Sequence, residues 1–590
     1  MLQIIEKQLK DLLKKAGVTG EIEFTKPPKA DMGDVTFACF DIAKVEEKNP
    51  VEVAKDLTED FKFQISNFKL FDKVEAFGPY INFFLNSSEL AELVLQEVDK
   101  KDFGQSEIGK GKKFMVEFAH PNTHKAFHIG HLRNAITGES IVRILENAGH
   151  KVVRANYQGD VGMHIAKCLY TILKYDKDGI ANQKKMSLDE RIKYLGKMYA
   201  QGSQEFEESE QVRKEVGDIN IKIYEQDKSI KAVYKETRKW SLEYFDKIYK
   251  RLDTKFDRFY FESEVFARGK EITLEFLKQG VFKKSQGAII FEGSKHNLHD
   301  RVFINSKGYP TYEAKDLALA EIQFKEHKPD KILHVVAREQ LGYFQVMFKA
   351  LENTLPISKD REKHLVYGWV SLKHGKMSSR TGKVILGEWL LDELETQISE
   401  YMSGSTKVTP DKSGSTSSYV KTTADKKVAL DKKNIAKKVA IAAVKYSFLR
   451  IGIANDMQFD IDESVSTVGD SGPYLLYITA RIKSILKKEK GVRSKEKELP
   501  IEIQPEEKQL LIKLSEFEEV AKFSAENLDP SKIARYLFDL AQNFNSFYEN
   551  CPVVKAEGEI RIFRLQIIKS VAQVMKKGLY LLGIETVEEM

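Results

Sequence analysis

The stretch that most limits what this chain can become is residues 113–164, KFMVEFAHPNTHKAFHIGHLRNAITGESIVRILENAGHKVVRANYQGDVGMH. It opens with an apolar run, Phe114 to Phe118, short enough to be one buried strand. A polar loop holding Pro121, Asn122 and Lys125 follows. From Ile129 the spacing turns helical, with Leu132, Ile136, Ile141, Ile144, Leu145 and Ala148 along one broad face. Gly149 is a helix stop, and Val152–Val153 begin a second buried strand. Strand, loop, helix and strand in that order predict an α/β fold, the opening of a Rossmann-like doubly wound parallel sheet. Such sheets bind ligands at the carboxyl ends of their strands, which is where the histidines of this stretch fall.

Four of the chain's 12 histidines lie between His120 and His131, and His128 to His131 sit where the helix should start. A helix start exposes unpaired N–H groups and partial positive charge, so it attracts phosphate. Two imidazoles there can donate hydrogen bonds to an oxyanion without bringing two permanent charges. Gly130, having no side chain, would let a flat base lie against the backbone. Two other readings stay open at this point: surface histidines on a helix turn, or a zinc site built on the spacing of His124, His128 and His131. The zinc reading lacks the further ligands it needs, since Cys168 stands alone.

A second feature is SLKHGKMSSRTGKVI, residues 371–385, after a strand-like run from His364 to Leu372. Small residues alternate with Lys373, Lys376, Arg380 and Lys383, as in a mobile cationic loop that closes over phosphates. Taken alone, it would more often be a solvated turn.

Together, HIGH at 128–131 and KMSSR at 376–380 resemble the paired signatures of class I aminoacyl-tRNA synthetases. HPNTHKAFHIGHLR at 120–133, NYQGDVG at 156–162, TYEAKD at 311–316, GPYLLYITARIKSIL at 472–486 and the terminal GLYLLGIETVEEM are similar to arginyl-tRNA synthetases. The resemblance covers nearly the whole chain. It implies an arginine–tRNA ligase that activates L-arginine with ATP and passes the arginyl group to the terminal adenosine of tRNA(Arg). ATP would enter as substrate with its Mg²⁺, and no zinc is expected. It also implies site residues. His128, Gly130, His131 and the loop residues Lys376, Met377, Ser378 and Arg380 would hold ATP. Asn122, Glu262, Tyr312, Asp316 and Gln340 would hold arginine. The second lysine usual in the class I loop is replaced by Ser379, and Lys125, ahead of the histidines, is expected to supply that charge. Lys125, His128, His131 and Lys376 are thus the expected catalytic set. His120 departs from the family, which usually has a small residue there.

The guanidinium group poses a physical problem consistent with those residues. It is planar and offers five donors, so its pocket should supply carboxylates and other acceptors in a fork. If 312–316 is a helical turn, the Tyr312 phenol and the Asp316 carboxylate share one face.

The formal net charge of the 590 residues is only +6, so any surface for nucleic acid must be local. Three separated cysteines fit a reducing compartment, and no apolar run approaches the roughly 18 residues of a membrane span. A cytoplasmic monomer is expected. Residues 1–100 read as an α+β domain: an amphipathic first helix, helical text around Phe37–Lys44 and Val51–Phe61, and strands in 73–86. The resemblance implies that this domain touches tRNA. The catalytic domain is expected over 105–400, with solvated helices inserted at about 169–255 that are not an active-site wall. RFYFES at 258–263 and GAIIFEG at 287–293 should resume its sheet, with further strands at 301–306 and 331–337. Residues 403–432 read as a flexible low-complexity insertion. From 433 to 590 an all-α helical bundle is expected, resembling an anticodon-binding domain. Tyr474 and Tyr477 are its candidate tRNA-stacking residues, although aromatics at this spacing are more often core.

Overall fold

A computed structural model describes residues 1–19, 22–176, 180–373, 385–402, 423–488 and 502–590. The apolar run at 114–118 forms β1 (Lys113–Glu117), the middle strand of a five-stranded sheet. β2 (Lys151–Gln158) and β3 (Arg258–Phe261) add on one side, β4 (Lys331–Ala337) and β5 (Glu362–Tyr367) on the other, all parallel. The winding direction therefore reverses between β1 and β4, and the carboxyl ends of all five strands open on one edge. Alternate side chains serve two cores. Met115, Ala155 and Ile332 face one, while Val116 and Leu333 face the other.

Helix α1 (Ile129–Asn147) follows β1 as the spacing predicts, but every residue from Leu132 to Leu145 is buried, not one face alone. The cause is a further layer of helices, including Gly387–Met402 and Gly558–Leu581, packed on its outer side. Its polar residues become ties in consequence. Arg133 donates to the carbonyls of Gly368, Trp369 and Asn455 at 2.7–2.9 Å. Asn134 accepts from the Ala119 N–H and donates to the Val335 carbonyl, joining the ends of β1 and β4.

The region 169–255 is helical, ending in α2 (Lys228–Arg251), but the expectation that it stays away from the site is wrong. Trp240 of α2 is fully buried, and Thr237 and Ser241 of α2 hold the loop after β1. The other face of the sheet is covered by α3 (Glu262–Lys278), α4 (Tyr312–His327) and α5 (Leu341–Thr354). Gly269 permits the closest of these contacts, because a Cβ there would lie 2.1 Å from the Ala314 carbonyl oxygen. RFYFES does resume the parallel sheet as β3. The segments at 288–291 and 301–304 instead pair antiparallel with each other, and 288–291 also with 283–285, in a separate three-stranded sheet. Short hairpin connections favour that pairing, whereas a parallel partner needs a long crossover.

In the amino-terminal region, Val35–Ala38 is a strand and the helix begins only at Phe40, so the helical reading from Phe37 is corrected. Val35, Thr36 and Phe37 pair with Tyr80–Leu85, and that tertiary pairing sets the local conformation. This region docks on the carboxyl-terminal helices through Lys508–Asp34 at 2.8 Å and the terminal amine with Glu518 at 2.7 Å. Residues 403–422 lie outside the described residues, but 423–432 begin the helix α6 (Thr423–Leu449) and are not part of a structureless insertion. The helices beyond it include α7 (Gly472–Lys488) and α8 (Gly558–Leu581).

Candidate active site

The backbone itself sets the chemistry of the histidine turn. His128 is the N-cap of α1, and its Nδ1 accepts from the Gly130 N–H at 3.1 Å. His131 Nδ1 accepts from the His128 N–H at 3.3 Å, and the two rings stack with centroids 3.8 Å apart. A ring nitrogen that accepts carries no proton, so in each neutral ring the proton sits on Nε2. Burial, with Lys125 nearby, lowers the pKa of His128. Burial and the neighbouring His128 hold His131 well below the ordinary value. The helix start thus offers two uncharged Nε2–H donors.

Lys125 is half-buried and projects over the Tyr199 ring, 5.8 Å from its centroid, without a carboxylate partner among the described residues. His124 belongs elsewhere. Its ring nitrogens meet the hydroxyls of Thr237 at 2.8 Å and Thr123 at 3.1 Å, and burial drives its pKa to about 3. It fastens the loop to α2 and does not face a phosphate. Ala119, His120 and His124 all take positive φ, of 77°, 48° and 62°. These angles are costly for side-chain-bearing residues and are held here by the surrounding ties.

The expected loop residues Lys376, Met377, Ser378 and Arg380 lie outside the described residues. Both flanks of their segment are anchored. Val370–Leu372 pairs with Met457–Phe459, while Ile385 accepts from the Ile129 N–H and Gly387 donates to the Phe127 carbonyl. The far flank is therefore bonded directly to the histidine turn.

The acidic residues gather at the ends of the neighbouring strands. Glu262 opens α3 directly after β3, and Asn122 pairs with Gly159 beyond the end of β2. A Cβ on Gly159 would sit 2.1 Å from Asn122 Oδ1 and 3.7 Å from the Glu262 carboxyl carbon, so glycine is required for the three to meet. Glu262 is buried and pairs with Lys315 at 3.0 Å, both side chains under 5% exposed. Lys315 in turn lies over the rings of Tyr312 (5.0 Å) and Tyr224 (5.6 Å). Asp316 accepts from the Tyr343 hydroxyl at 2.5 Å, and its burial, with Glu117 and Glu262 nearby, pushes its pKa up to about 7. Tyr312 and Asp316 do share a side of α4, with the phenol at the exposed mouth and the carboxyl at depth. Gln340 is exposed at the start of α5, one turn before Tyr343, and makes no side-chain hydrogen bond among the described residues.

Several organising residues escaped the sequence reading. Asp160, fully buried, accepts from the Ser263 N–H (2.8 Å), the Ser263 hydroxyl (2.6 Å) and Arg238 Nε (2.8 Å), locking α2 and α3 together beside Glu262. Beneath the site, His334 bridges Glu117 at 3.1 Å and Glu362 at 2.7 Å. Burial opposes its charge, but the two carboxylates prevail and raise its pKa to about 10. Asp160 could have been flagged by its place in NYQGDVG. His334 reads as one more core position of an apolar strand.

In the helical region Tyr474 is only 9% exposed, with its hydroxyl accepting from Asn545 at 2.9 Å and its ring edge-on to Phe538. Such a ring cannot also stack on a base, so its candidacy is withdrawn. Tyr477 is 42% exposed.

A parallel sheet with a switch point beside a double-histidine helix start is the architecture of a class I aminoacyl-tRNA synthetase. The comparisons with known proteins agree. The family model described as tRNA synthetases class I (R), catalytic domain, matches residues 92–461. The DALR anticodon binding domain matches 475–590, and the arginyl tRNA synthetase N terminal domain matches 1–85. The arginine–tRNA ligase of Borreliella burgdorferi is 32% identical, covering 95% of this chain and 94% of its own length. That of Treponema denticola is 31% identical, covering 97% and 95%. The fold is similar to Thermus thermophilus arginyl-tRNA synthetase, with TM-score 0.77 and full coverage of both chains at 24% identity. The chain belongs to the arginyl-tRNA synthetase family and is an arginine–tRNA ligase.

Proposed function

We propose that arginine and ATP meet on the carboxyl edge of the sheet, with each group assigned as follows. The guanidinium lies between Glu262 and Asp316, with Tyr312 at the mouth. Asn122 and Gln340 take the amino and carboxylate end. The Nε2–H groups of His128 and His131 donate to the α-phosphate, and Lys125 supplies positive charge as that phosphate becomes pentacovalent. The arginine carboxylate oxygen attacks the α-phosphorus, and the bond to the bridging oxygen breaks with its electron pair leaving on pyrophosphate. Gly130, Met377 and Ser378 line the nucleotide, while Lys376 and Arg380 draw off the departing anion. A ribose hydroxyl of the terminal adenosine of tRNA then attacks the carbonyl carbon of the anhydride, and AMP leaves. Catalysis of this type rests on alignment and charge compensation rather than on a protein nucleophile.

Mg²⁺ accompanying ATP would supply positive charge to offset that of the triphosphate. Among the described residues no group of three His, Cys, Asp or Glu side chains could cage a metal. We take the enzyme to be cytoplasmic; no helix among the described residues is long and apolar enough to cross a membrane. We take it to act as a monomer. Its amino-terminal region and exposed Tyr477 would contact tRNA.

The observation that carries this reading is the uncharged donor pair of His128 and His131 on the same sheet edge as two buried carboxyls. Pyrophosphate exchange with each amino acid, in the presence of tRNA, should respond to arginine alone. Lys125→Ala should slow adenylate formation about a hundredfold or more while leaving tRNA affinity unchanged. An unchanged pre-steady-state rate would remove Lys125 from the chemistry.

A further inference from the structure

Tyr157 is the penultimate residue of β2, in register with Tyr260 of β3, and its ring packs into the core shared with α3, α4 and α5. Its hydroxyl is completely buried, yet it has no hydrogen-bond partner among the described residues. Asp316, Glu262 and Glu117 are near enough to act on it electrostatically, as is the Tyr343 phenol, so the hydroxyl lies close to the acids of the candidate arginine pocket. A buried hydroxyl without a partner is costly, and a chain normally avoids one unless a bound water or a ligand completes it.

The acceptors already committed in that pocket make the orphan informative. One Glu262 oxygen takes the Lys315 ammonium, and Asp316 Oδ2 takes the Tyr343 hydroxyl. A guanidinium brings five N–H donors in a fixed plane, and two partly committed carboxylates on separate helices leave room for a further acceptor. Charge is just as constrained. Glu262 is balanced by Lys315, while Glu117 shares the His334 imidazolium with Glu362, so the surroundings of Asp316 are already acidic enough for one incoming positive charge. A third free carboxylate would overcharge the pocket. A phenol adds an acceptor without adding charge, and it can donate its own proton to a carboxylate while accepting from the substrate.

We propose that Tyr157 is a specificity-determining residue of this enzyme, its hydroxyl accepting a guanidinium N–H of the bound arginine and donating to an adjacent carboxyl. The assignment rests on the reading that Glu262 and Asp316 hold the guanidinium. Tyr157 reads the side chain of the substrate and has no part in phosphoryl transfer. Lysine, whose ammonium is a compact point donor, cannot span the phenol and the Asp316 carboxyl as a planar fork can.

The test is Tyr157→Phe in the full-length enzyme, assayed by pyrophosphate exchange with tRNA and by thermal unfolding with and without L-arginine. KM for arginine should rise about ten- to a hundredfold, the loss typical of a hydrogen bond to a charged group. KM for ATP and kcat should stay within about twofold. Without arginine, the variant should unfold at the same temperature as the parent or higher, because it has lost a group that nothing in the protein satisfies. A merely structural hydroxyl would give the opposite, a lower midpoint. Unchanged KM for arginine, or a parallel rise in KM for ATP, overturns the proposal. Asp316→Asn is run beside it. If that variant loses arginine binding and Tyr157→Phe does not, Tyr157 alone is misassigned. If neither loses it, the pocket itself is misassigned and this proposal falls with it.

Discussion

Asp316 illustrates how one residue's surroundings turn into a measurable response. Its carboxyl, buried near two other acids, titrates at about 7 in place of 3.8. A guanidinium arriving beside it would favour the ionised form, so at neutral pH arginine binding should expel a fraction of a proton. The apparent affinity for arginine should fall toward tenfold per unit as pH drops below 7 and level off above 8. Calorimetric titration in two buffers of different ionisation enthalpy measures that proton directly, and zero release at pH 7 would contradict the assignment. The same shift acts on stability. The native state holds an extra proton between pH 4 and 7, so Asp316 costs stability as pH rises through that window, up to roughly 4 kcal/mol. Asp316→Asn should therefore be more stable than the parent above pH 7 and lose that advantage below pH 4.

Among the elements, α2 shows where a sequence stops being legible. The strand–loop–helix–strand unit around the histidines could be read because its signals are local: an apolar run, a change of period, a glycine stop. The text preceding α2 is charged and polar, and so it suggested a solvated excursion. Its function depends on contacts more than seventy residues away in sequence, Tyr234 and Arg238 to Asp160 and Thr237 to His124. No periodicity announces such pairs. The strands at 288–291 and 301–304 were visible for the same local reasons, but their allegiance to a separate sheet was not. The two acidic residues, Glu262 and Asp316, stand out through resemblance, whereas Lys315, the buried partner of Glu262, carries no local signal. Arg238→Ala tests the role of α2. It leaves the buried Asp160 carboxylate without its cation, and should destabilise the protein by roughly 3 kcal/mol in urea denaturation while weakening arginine binding. A variant as stable as the parent would make α2 the outlying insertion that its composition suggests.

At the scale of the whole molecule, the end of α8 is tied to α1 of the catalytic region. Ser140 and Arg143 of α1 donate to the carbonyls of Leu581 and Tyr580 at the end of α8. Lys445 of α6, fully buried, donates to the carbonyls of Leu252 (2.6 Å), just past α2, and Gly583. Burial, with Arg143 nearby, lowers the pKa of Lys445 to about 7. The native state then binds fewer protons than the unfolded chain between pH 7 and 10, so this group adds stability as pH rises across that window. Lys445→Met should flatten the rise, read as denaturation midpoints at pH 7 and 9.5. Equal slopes for parent and variant would show that Lys445 does not titrate there.

The catalytic reading depends on one spatial claim, that arginine and the triphosphate share the carboxyl edge of the sheet. A crystal structure with L-arginine and a non-hydrolysable ATP analogue addresses it directly. The guanidinium should lie within hydrogen-bonding distance of Asp316 and Glu262, and the α-phosphate within reach of His128 and His131 Nε2. Arginine bound with its side chain away from those two carboxyls would contradict the account.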